Sequence, residues 1–197
     1  MNYPKYILTG ILIILFYCCS SPKNFTYYYD KKYTGLDTLI CTTGYYVCQR
    51  ECDSLFFSMF MFYTDGLFTI ATTSKMQPEL IECFEKGGTF LSAYPQWGTY
   101  KIVNDTIKTQ SIRTEEPYCV FFRDYKILPD GRLINISDYV EPKYTQLGFM
   151  KNYPSFYNNN CAAPARFYLT TSKRDSLECP FIYKNWFHKK ENSIDKQ

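Results

Sequence analysis

The sequence that decides the fold is LFFSMFMFY at residues 55–63, followed by the turn Thr64-Asp65-Gly66 and by LFTIAT at residues 67–72. Two apolar, β-prone runs joined by a short Asp-Gly turn are typical of a β-hairpin. The first run is apolar at successive positions, so both of its faces are expected to be buried. We expect one set of its side chains to line the inside of a sheet while the alternate set packs beneath another segment.

Further hairpins surround this one. Asn104-Asp105 and Pro129-Asp130-Gly131 supply two more turns between β-rich runs. The other predicted strands are residues 36–40, 44–48, 97–103, 106–112, 118–128, 132–137 and 166–170. A short helix is expected only at residues 78–84 and a long loop at residues 149–164. The sequence therefore predicts an all-β fold, a single antiparallel meander closing into a barrel with little helix; a β-sandwich is the alternative.

Composition agrees with this fold class and narrows the partners. The chain has 197 residues, 46% of them hydrophobic, which is enough for one domain with its own core. Aromatic residues make up 19%, with 20 Tyr and 16 Phe, and they favour strands over helices. The 22 Lys and Arg are interspersed with 19 Asp and Glu, so we expect no nucleic-acid partner.

The amino terminus has the layout of a secretory signal peptide. Lys5 precedes an apolar run over residues 6–17, and polar residues return at Ser20. The run is shorter than the roughly 20 residues that a transmembrane helix needs. Residues 15–21, LFYCCSS, resemble the cleavage region of a bacterial lipoprotein, which implies that Cys19, or alternatively Cys18, carries the lipid. An ordinary secretory signal with two incidental cysteines is the other interpretation.

The lipoprotein resemblance implies a division of the chain and a location. It gives a signal peptide over residues 1–18 and a tether over 19–35. The strand pattern then gives a β-barrel domain over 36–183, and the lysine-rich end gives a polar tail over 184–197. The protein is then expected to be lipid-anchored in the bacterial cell envelope, in the outer membrane, with the membrane as a partner through its anchor.

The remaining cysteines predict disulfides, because an exported chain meets an oxidising compartment. Cys48 and Cys52 are expected to oppose one another across a hairpin, and Cys161 with Cys179 is a second candidate pair. A metal site is not predicted, because the cysteines lack a C-x2-C pair and the single histidine lies far away in sequence.

One stretch of the meander carries a resemblance of its own. An Asp-Gly hairpin, then Trp97-Gly98-Thr99-Tyr100, then Asn104-Asp105-Thr106-Ile107 resembles the order found in small lipocalin-like lipoproteins. The similarity covers about residues 36–137 and implies a lipocalin-like barrel, while it leaves the ligand undefined.

A short pattern of Asp, then Ser or Thr, then an aliphatic residue recurs in the chain. It resembles the O-glycosylation acceptor used on exported proteins by one lineage of Gram-negative bacteria. The candidate acceptors are Thr38, Ser54, Thr106 and Ser176. The same tripeptide arises where Asp closes a turn and a strand follows, so a purely structural origin is equally open.

For function, the sequence favours binding over catalysis. It has no Gly-x-Ser-x-Gly, Gly-x-x-x-x-Gly-Lys or His-Glu-x-x-His pattern, so no enzyme and no cofactor are predicted, and a hydrolase is only the third candidate. The leading prediction is a barrel that binds a lipid or another apolar molecule. Its candidate lining residues are Phe57, Met59, Phe60, Met61 and Phe62. The alternative is a filled barrel that binds an envelope protein or a glycan through the aromatic loop at residues 149–164.

Overall fold

The computed structural model describes residues 22, 25–50, 53–73, 96–114, 119–140, 156–158, 163–169 and 173–188. The strands in these segments are β1 (Gly44–Arg50), β2 (Asp53–Phe62), β3 (Leu67–Thr73), β4 (Gln96–Val103), β5 (Thr106–Arg113), β6 (Val120–Ile127), β7 (Leu133–Val140), β8 (Phe156–Asn158) and β9 (Arg166–Leu169). Three short 3-10 helices are η1 (Leu36–Thr38), η2 (Ser176–Glu178) and η3 (Asn185–Phe187).

All of these strands belong to one antiparallel sheet that curls into a half-barrel. Strands β1 to β8 pair in sequence order, and β9 returns to pair with the free side of β1. Ala165, just before β9, also bridges Leu133 at the start of β7, with the Ala165 N–H donating to the Leu133 carbonyl at 2.7 Å. The predicted antiparallel meander with little helix is confirmed, and it forms one curled sheet rather than a sandwich.

Local turn chemistry explains the hairpins. Phe62 pairs with Phe68 across the turn at residues 64–66, where Gly66 takes a φ of 95° and Asp65 Oδ1 accepts the Leu67 N–H at 3.2 Å. Val103 pairs with Thr106 across a turn in which Asn104 has a φ of 57°. Tight turns gather at this end of the sheet, which we call the turn end.

The inner face of the sheet is apolar near the turn end. The rings of Phe60 on β2 and Tyr125 on β6 lie 4.6 Å apart between centroids, although three strands separate them in the sheet. Such a contact is possible only across the interior of the curl. The inner cluster comprises Leu36, Ile40, Tyr46, Cys48, Phe60, Phe62, Phe68, Ile70, Tyr100, Ile107, Tyr125, Leu133 and Ala165.

The outer face is covered by both ends of the described chain. We call residues 25–35 the N-terminal strap and residues 173–188 the C-terminal strap. Gln110 Oε1 accepts the backbone N–H groups of Thr26 and Tyr27 at 2.8 and 2.7 Å. The Tyr29 N–H donates to the Phe187 carbonyl at 2.8 Å, which joins the two straps. Together they bury a second apolar cluster against β1 to β6.

Two segments that were predicted to lie outside the β domain contain buried residues. The tether predicted over residues 19–35 is part of the folded unit from Phe25 onward, because Phe25 and Tyr29 are buried in the outer cluster. The polar tail predicted from residue 184 is also packed as far as His188, since Phe187 is fully buried. Tertiary contacts between the straps override the polar local sequence at both ends.

The predicted strand at residues 36–40 is wrong. Gly35 adopts a left-handed φ of 72°, and η1 begins directly after it. Leu36 and Ile40 lie about one helical turn apart and are both buried in the inner cluster. This segment therefore covers the turn end of the barrel instead of adding a strand. The predicted helix at residues 78–84 lies outside the described residues.

The strand register bears on the cysteine predictions. The β1–β2 ladder pairs Cys48 with Ser58, and its register shifts between Gln49 and Arg50. Cys179 has a free, buried thiol. Cys52 and Cys161 themselves lie outside the described residues. No helix in the described segments is long and apolar enough to cross a membrane.

Candidate functional site

The structure divides the predicted ligand-lining residues between the two faces of β2. Phe60 and Phe62 point into the barrel, whereas Phe57, Met59 and Met61 belong to the outer cluster beneath the straps. All five side chains are buried. The expectation that alternate side chains of this strand serve two different covered faces is confirmed.

Aromatic rings fill the inner face near the turn end. Besides the contact between Phe60 and Tyr125, Phe62 lies 5.0 Å from Phe68 and 5.4 Å from Tyr100 between ring centroids. These separations are those of packed aromatic pairs. The rings contact one another across the lumen, so a ligand would have to displace them to enter.

A buried polar network lies on the inner face farther from the turn end. Arg123 Nε donates to Asp138 Oδ2 at 3.2 Å, and each residue is 3% exposed. Arg123 Nη1 also donates to Gln96 Oε1 at 2.8 Å and to Ser111 Oγ at 3.2 Å. A buried charge pair needs such additional hydrogen bonds to offset its desolvation. The network joins β4, β5, β6 and β7 across the inside of the sheet.

An open cleft of about 390 Å³ lies at the turn end of the barrel. Its walls come from η1 and the residues after it, from the β6–β7 turn, and from β1 and β9. The lining residues are Asp37, Thr38, Leu39, Ile40, Cys41, Tyr46, Asp130, Gly131, Arg132 and Phe167. We take this turn-end cleft as the candidate functional site.

Segment 35–41 supplies one wall of the cleft. Thr38 N–H and Oγ1 both donate to the Gly35 carbonyl, at 3.1 and 2.7 Å, and this fixes the short helical turn. Leu39 remains 45% exposed, because its neighbours Leu36 and Ile40 take the buried positions. Leu39 therefore presents apolar surface toward the opening.

Two aromatic rings supply apolar surface deeper in the cleft. Tyr46 and the half-buried Phe167 lie 5.1 Å apart between ring centroids, on the paired strands β1 and β9. The Tyr46 hydroxyl donates to the Cys41 carbonyl at 2.8 Å, and burial raises the pKa of Tyr46 above its ordinary value. The hydroxyl is thus held neutral and ties β1 to the segment that follows η1.

The β6–β7 turn supplies the opposite rim. Asp130 accepts the Arg132 backbone N–H at 3.1 Å and Arg132 Nε at 2.6 Å. Both hydrogen bonds hold the pKa of Asp130 below its ordinary value, and the one from the Arg132 backbone has the larger effect. Gly131 takes a left-handed φ of 78°, which glycine adopts without strain, and it lies next to the Leu39 carbonyl. The charged pair is thereby fixed at the edge of the apolar surface.

A second carboxylate lies on the η1 side. Asp37 Oδ1 accepts the Tyr33 hydroxyl at 2.6 Å, and that hydrogen bond is the main cause that raises the pKa of Tyr33. The cleft therefore has two carboxylates and one guanidinium at its edges and aromatic and aliphatic side chains between them. Such a surface can accept and donate several hydrogen bonds while covering one apolar face of a ligand.

The other predicted site residues are dispersed. Thr38 is exposed in the cleft wall, while Thr106 and Ser176 are half-buried at turns elsewhere. Their preceding aspartates accept local hydrogen bonds, Asp105 from Thr106 Oγ1 at 3.1 Å and Asp175 from the Leu177 N–H at 2.9 Å. Ser54 lies in β2, but its side chain is outside the described part, as are Cys18, Cys19 and most of the loop 149–164. Glycosylation and acylation stay predictions.

The sequence did not indicate the cleft. Asp37, Asp130 and Phe167 come from three segments that are far apart in the chain, and only the curl of the sheet brings them together. The one local signal is the turn Pro129-Asp130-Gly131 next to Arg132, which predicts an Asp side chain bonded to the following backbone.

No protein-family model matches the sequence, and no match is found among the curated proteins or the solved structures. Within the segments that the structure describes, no group of three or more His, Cys, Asp or Glu side chains is arranged to hold a metal ion. The fold defines a class, an all-β protein built on one curled antiparallel sheet with an amphipathic cleft at its turn end.

Proposed function

We propose that this chain is a lipid-anchored protein of the bacterial cell envelope that acts as an interaction module and binds a glycan in the turn-end cleft. The observation that carries the proposal is the contrast between the two candidate sites. The lumen is occupied by packed rings, whereas the cleft is open and lined by both apolar and charged side chains.

The size and chemistry of the cleft support a sugar over an apolar ligand. Its volume of about 390 Å³ falls in the range of small-molecule sites, roughly 300–1,000 Å³. A purely apolar molecule would remove Asp37, Asp130 and Arg132 from water without giving them hydrogen-bond partners, which is unfavourable. A sugar ring has an apolar C–H face for Phe167 and Leu39 and hydroxyl groups for the rim. The sequence alone favours a carrier of apolar ligands. The packed rings in the lumen support that function less well, because they occupy the space that an apolar ligand would need.

The test uses the full-length acylated protein on an array of bacterial polysaccharides and lipopolysaccharides, followed by titration calorimetry with the glycans that bind. Asp130→Ala is expected to weaken binding more than about tenfold, because a hydrogen bond to a charged group contributes roughly 1.5–3 kcal/mol. Phe167→Ala is also expected to weaken binding, because it removes the ring that covers the apolar face of the sugar. Asp105→Ala removes a carboxylate from a different exposed turn and should leave affinity unchanged. Absence of glycan binding, or equal effects of Asp105→Ala and Asp130→Ala, would contradict the proposal.

A further inference from the structure

The two straps expose aromatic and aliphatic side chains on the outer side of the barrel. We call this region the strap surface and define it by Tyr28, Leu177, Tyr183, Lys184 and Trp186. Tyr183 is 84%, Leu177 58% and Tyr28 45% exposed. The Phe25 ring lies 6.3 Å from that of Tyr28 and 5.7 Å from that of Trp186, so the aromatic residues of the two straps are contiguous.

The chain enters the folded unit at this surface. Phe25 is buried and stacks on Phe187 at 5.2 Å between centroids, which fixes the start of the N-terminal strap. From Cys19 to Phe25 the chain can extend at most about 20 Å, at about 3.3–3.6 Å per residue. An acyl group on Cys19 therefore holds Phe25, where the N-terminal strap begins, within about 20 Å of the membrane.

The exposed side chains suit a lipid headgroup region. Tyr and Trp are enriched at membrane–water interfaces, because each has an apolar ring and a polar group. Lys184 is exposed in the C-terminal strap, as are Asp175 and Glu178, and Lys189 and Lys190 follow in the sequence just after the strap. Lysines near a bilayer are attracted to anionic headgroups. The turn-end cleft, by contrast, has two carboxylates and one guanidinium at its edges.

From these observations we infer that the strap surface rests on the headgroups of the anchoring bilayer, with Tyr183, Tyr28 and Trp186 at the interface. The inference rests on the proposed lipid anchor and adds an orientation to it. Because the cleft lies at the turn end rather than on the outer face, this orientation leaves it open to the solution.

The two tryptophans of the chain provide an intrinsic probe. Trp97 is fully buried beneath the straps, whereas Trp186 lies on the strap surface. Full-length acylated protein is reconstituted into phosphatidylethanolamine and phosphatidylglycerol vesicles that contain doxyl lipids labelled near the headgroup. Subtracting the fluorescence emission of Trp186→Phe from that of the wild type gives the emission of Trp186. We expect most of that emission to be lost in doxyl vesicles.

Two reporters in the Trp186→Phe background sharpen the test. Tyr183→Trp, on the strap surface, should also lose most of its emission, whereas Leu39→Trp, at the exposed wall of the cleft, should keep it. Both positions are exposed, so neither change disturbs packing. Unquenched Trp186 and Tyr183→Trp emission, or equal quenching of Leu39→Trp, would overturn the orientation.

Flotation of the same vesicles separates the two proposals. Protein that floats with the vesicles, and does so only when Cys18 and Cys19 are intact, retains the anchor even if the orientation fails. Protein that does not float, or that floats equally after Cys18→Ser with Cys19→Ser, contradicts the anchor itself and with it the orientation.

Discussion

At the scale of single residues, the stability of the protein is expected to depend strongly on the ion pair inside the barrel. Arg123 and Asp138 are both buried, and Arg123 Nη1 also binds Gln96 and Ser111. Asp138→Ala removes a carboxylate that is paired with the buried guanidinium, so we expect a loss of roughly 3–5 kcal/mol in the free energy of unfolding. Urea denaturation measures this change.

A surface pair provides the matched control. Lys108 Nζ lies 2.8 Å from Asp124 Oδ2 on the same two strands that carry Ser111 and Arg123, but its side chain is more than a third exposed. Asp124→Ala should cost no more than about 1 kcal/mol, because exposed ion pairs contribute little. Equal losses for Asp124→Ala and Asp138→Ala would show that the interior of the barrel is hydrated.

The Cys179 thiol gives a pH-dependent contribution to stability. Burial raises its pKa to about 12, while the unfolded chain deprotonates near the ordinary value of about 8.5. The contribution is fully present below about pH 8.5 and is lost as pH rises toward about 12, because only the unfolded state then releases the proton. The expected slope is about −1.4 kcal/mol per pH unit within that window.

Cys179→Ala removes this slope and serves as the reference. Buried tyrosines such as Tyr63 and Tyr100 also have raised pKa values, but they titrate identically in both proteins. The difference in unfolding free energy between wild type and Cys179→Ala, measured by urea denaturation at about pH 8 and about pH 10, isolates the thiol. A difference that does not change with pH would mean that Cys179 is accessible to water in the folded protein.

At the scale of elements, the hairpins could be predicted and the straps could not. Turns such as Thr64-Asp65-Gly66 are determined by their own residues. The Asp side chain accepts a hydrogen bond from the backbone of the turn, and the Gly adopts a positive φ. The straps have no regular pairing of their own, and they dock through contacts between the two ends of the chain. The same holds for the cleft, whose residues meet only after the sheet has curled.

The straps are expected to stabilise the whole domain. Phe187 is fully buried and contacts the rings of Phe25, Tyr29 and Phe181. Phe187→Ala should cost about 3–5 kcal/mol, because it removes a ring and leaves a cavity over the sheet. Tyr183→Ala, in the same strap but 84% exposed, should change stability by no more than about 0.5 kcal/mol. Similar stabilities of the two variants would mean that the strap is detached in solution.

At the scale of the whole molecule, the curl of the sheet decides where a ligand can bind. The two aromatic residues of β2 that face inward contact rings on β3, β4 and β6, so the apolar half of the lumen is filled. Farther from the turn end, the inner face carries the network around Arg123. A lipid-sized ligand beside Phe60 and Phe62 would therefore require repacking of the rings.

Phe60→Ala tests whether the lumen is filled. The variant should lose about 3–5 kcal/mol of stability and gain a dry cavity among Tyr46, Phe68 and Tyr125 that takes up benzene. Benzene should then raise the thermal midpoint of Phe60→Ala and leave that of the wild type unchanged, because ligand that binds only the folded state stabilises it. Phe60→Leu opens a smaller space and provides a folded variant if the alanine variant is too unstable. The contrary result would be stoichiometric binding of a fatty acid by the wild type, together with competition between that fatty acid and benzene in Phe60→Ala. It would require the inner rings to separate in the folded protein, and it would favour the function of an apolar-ligand carrier.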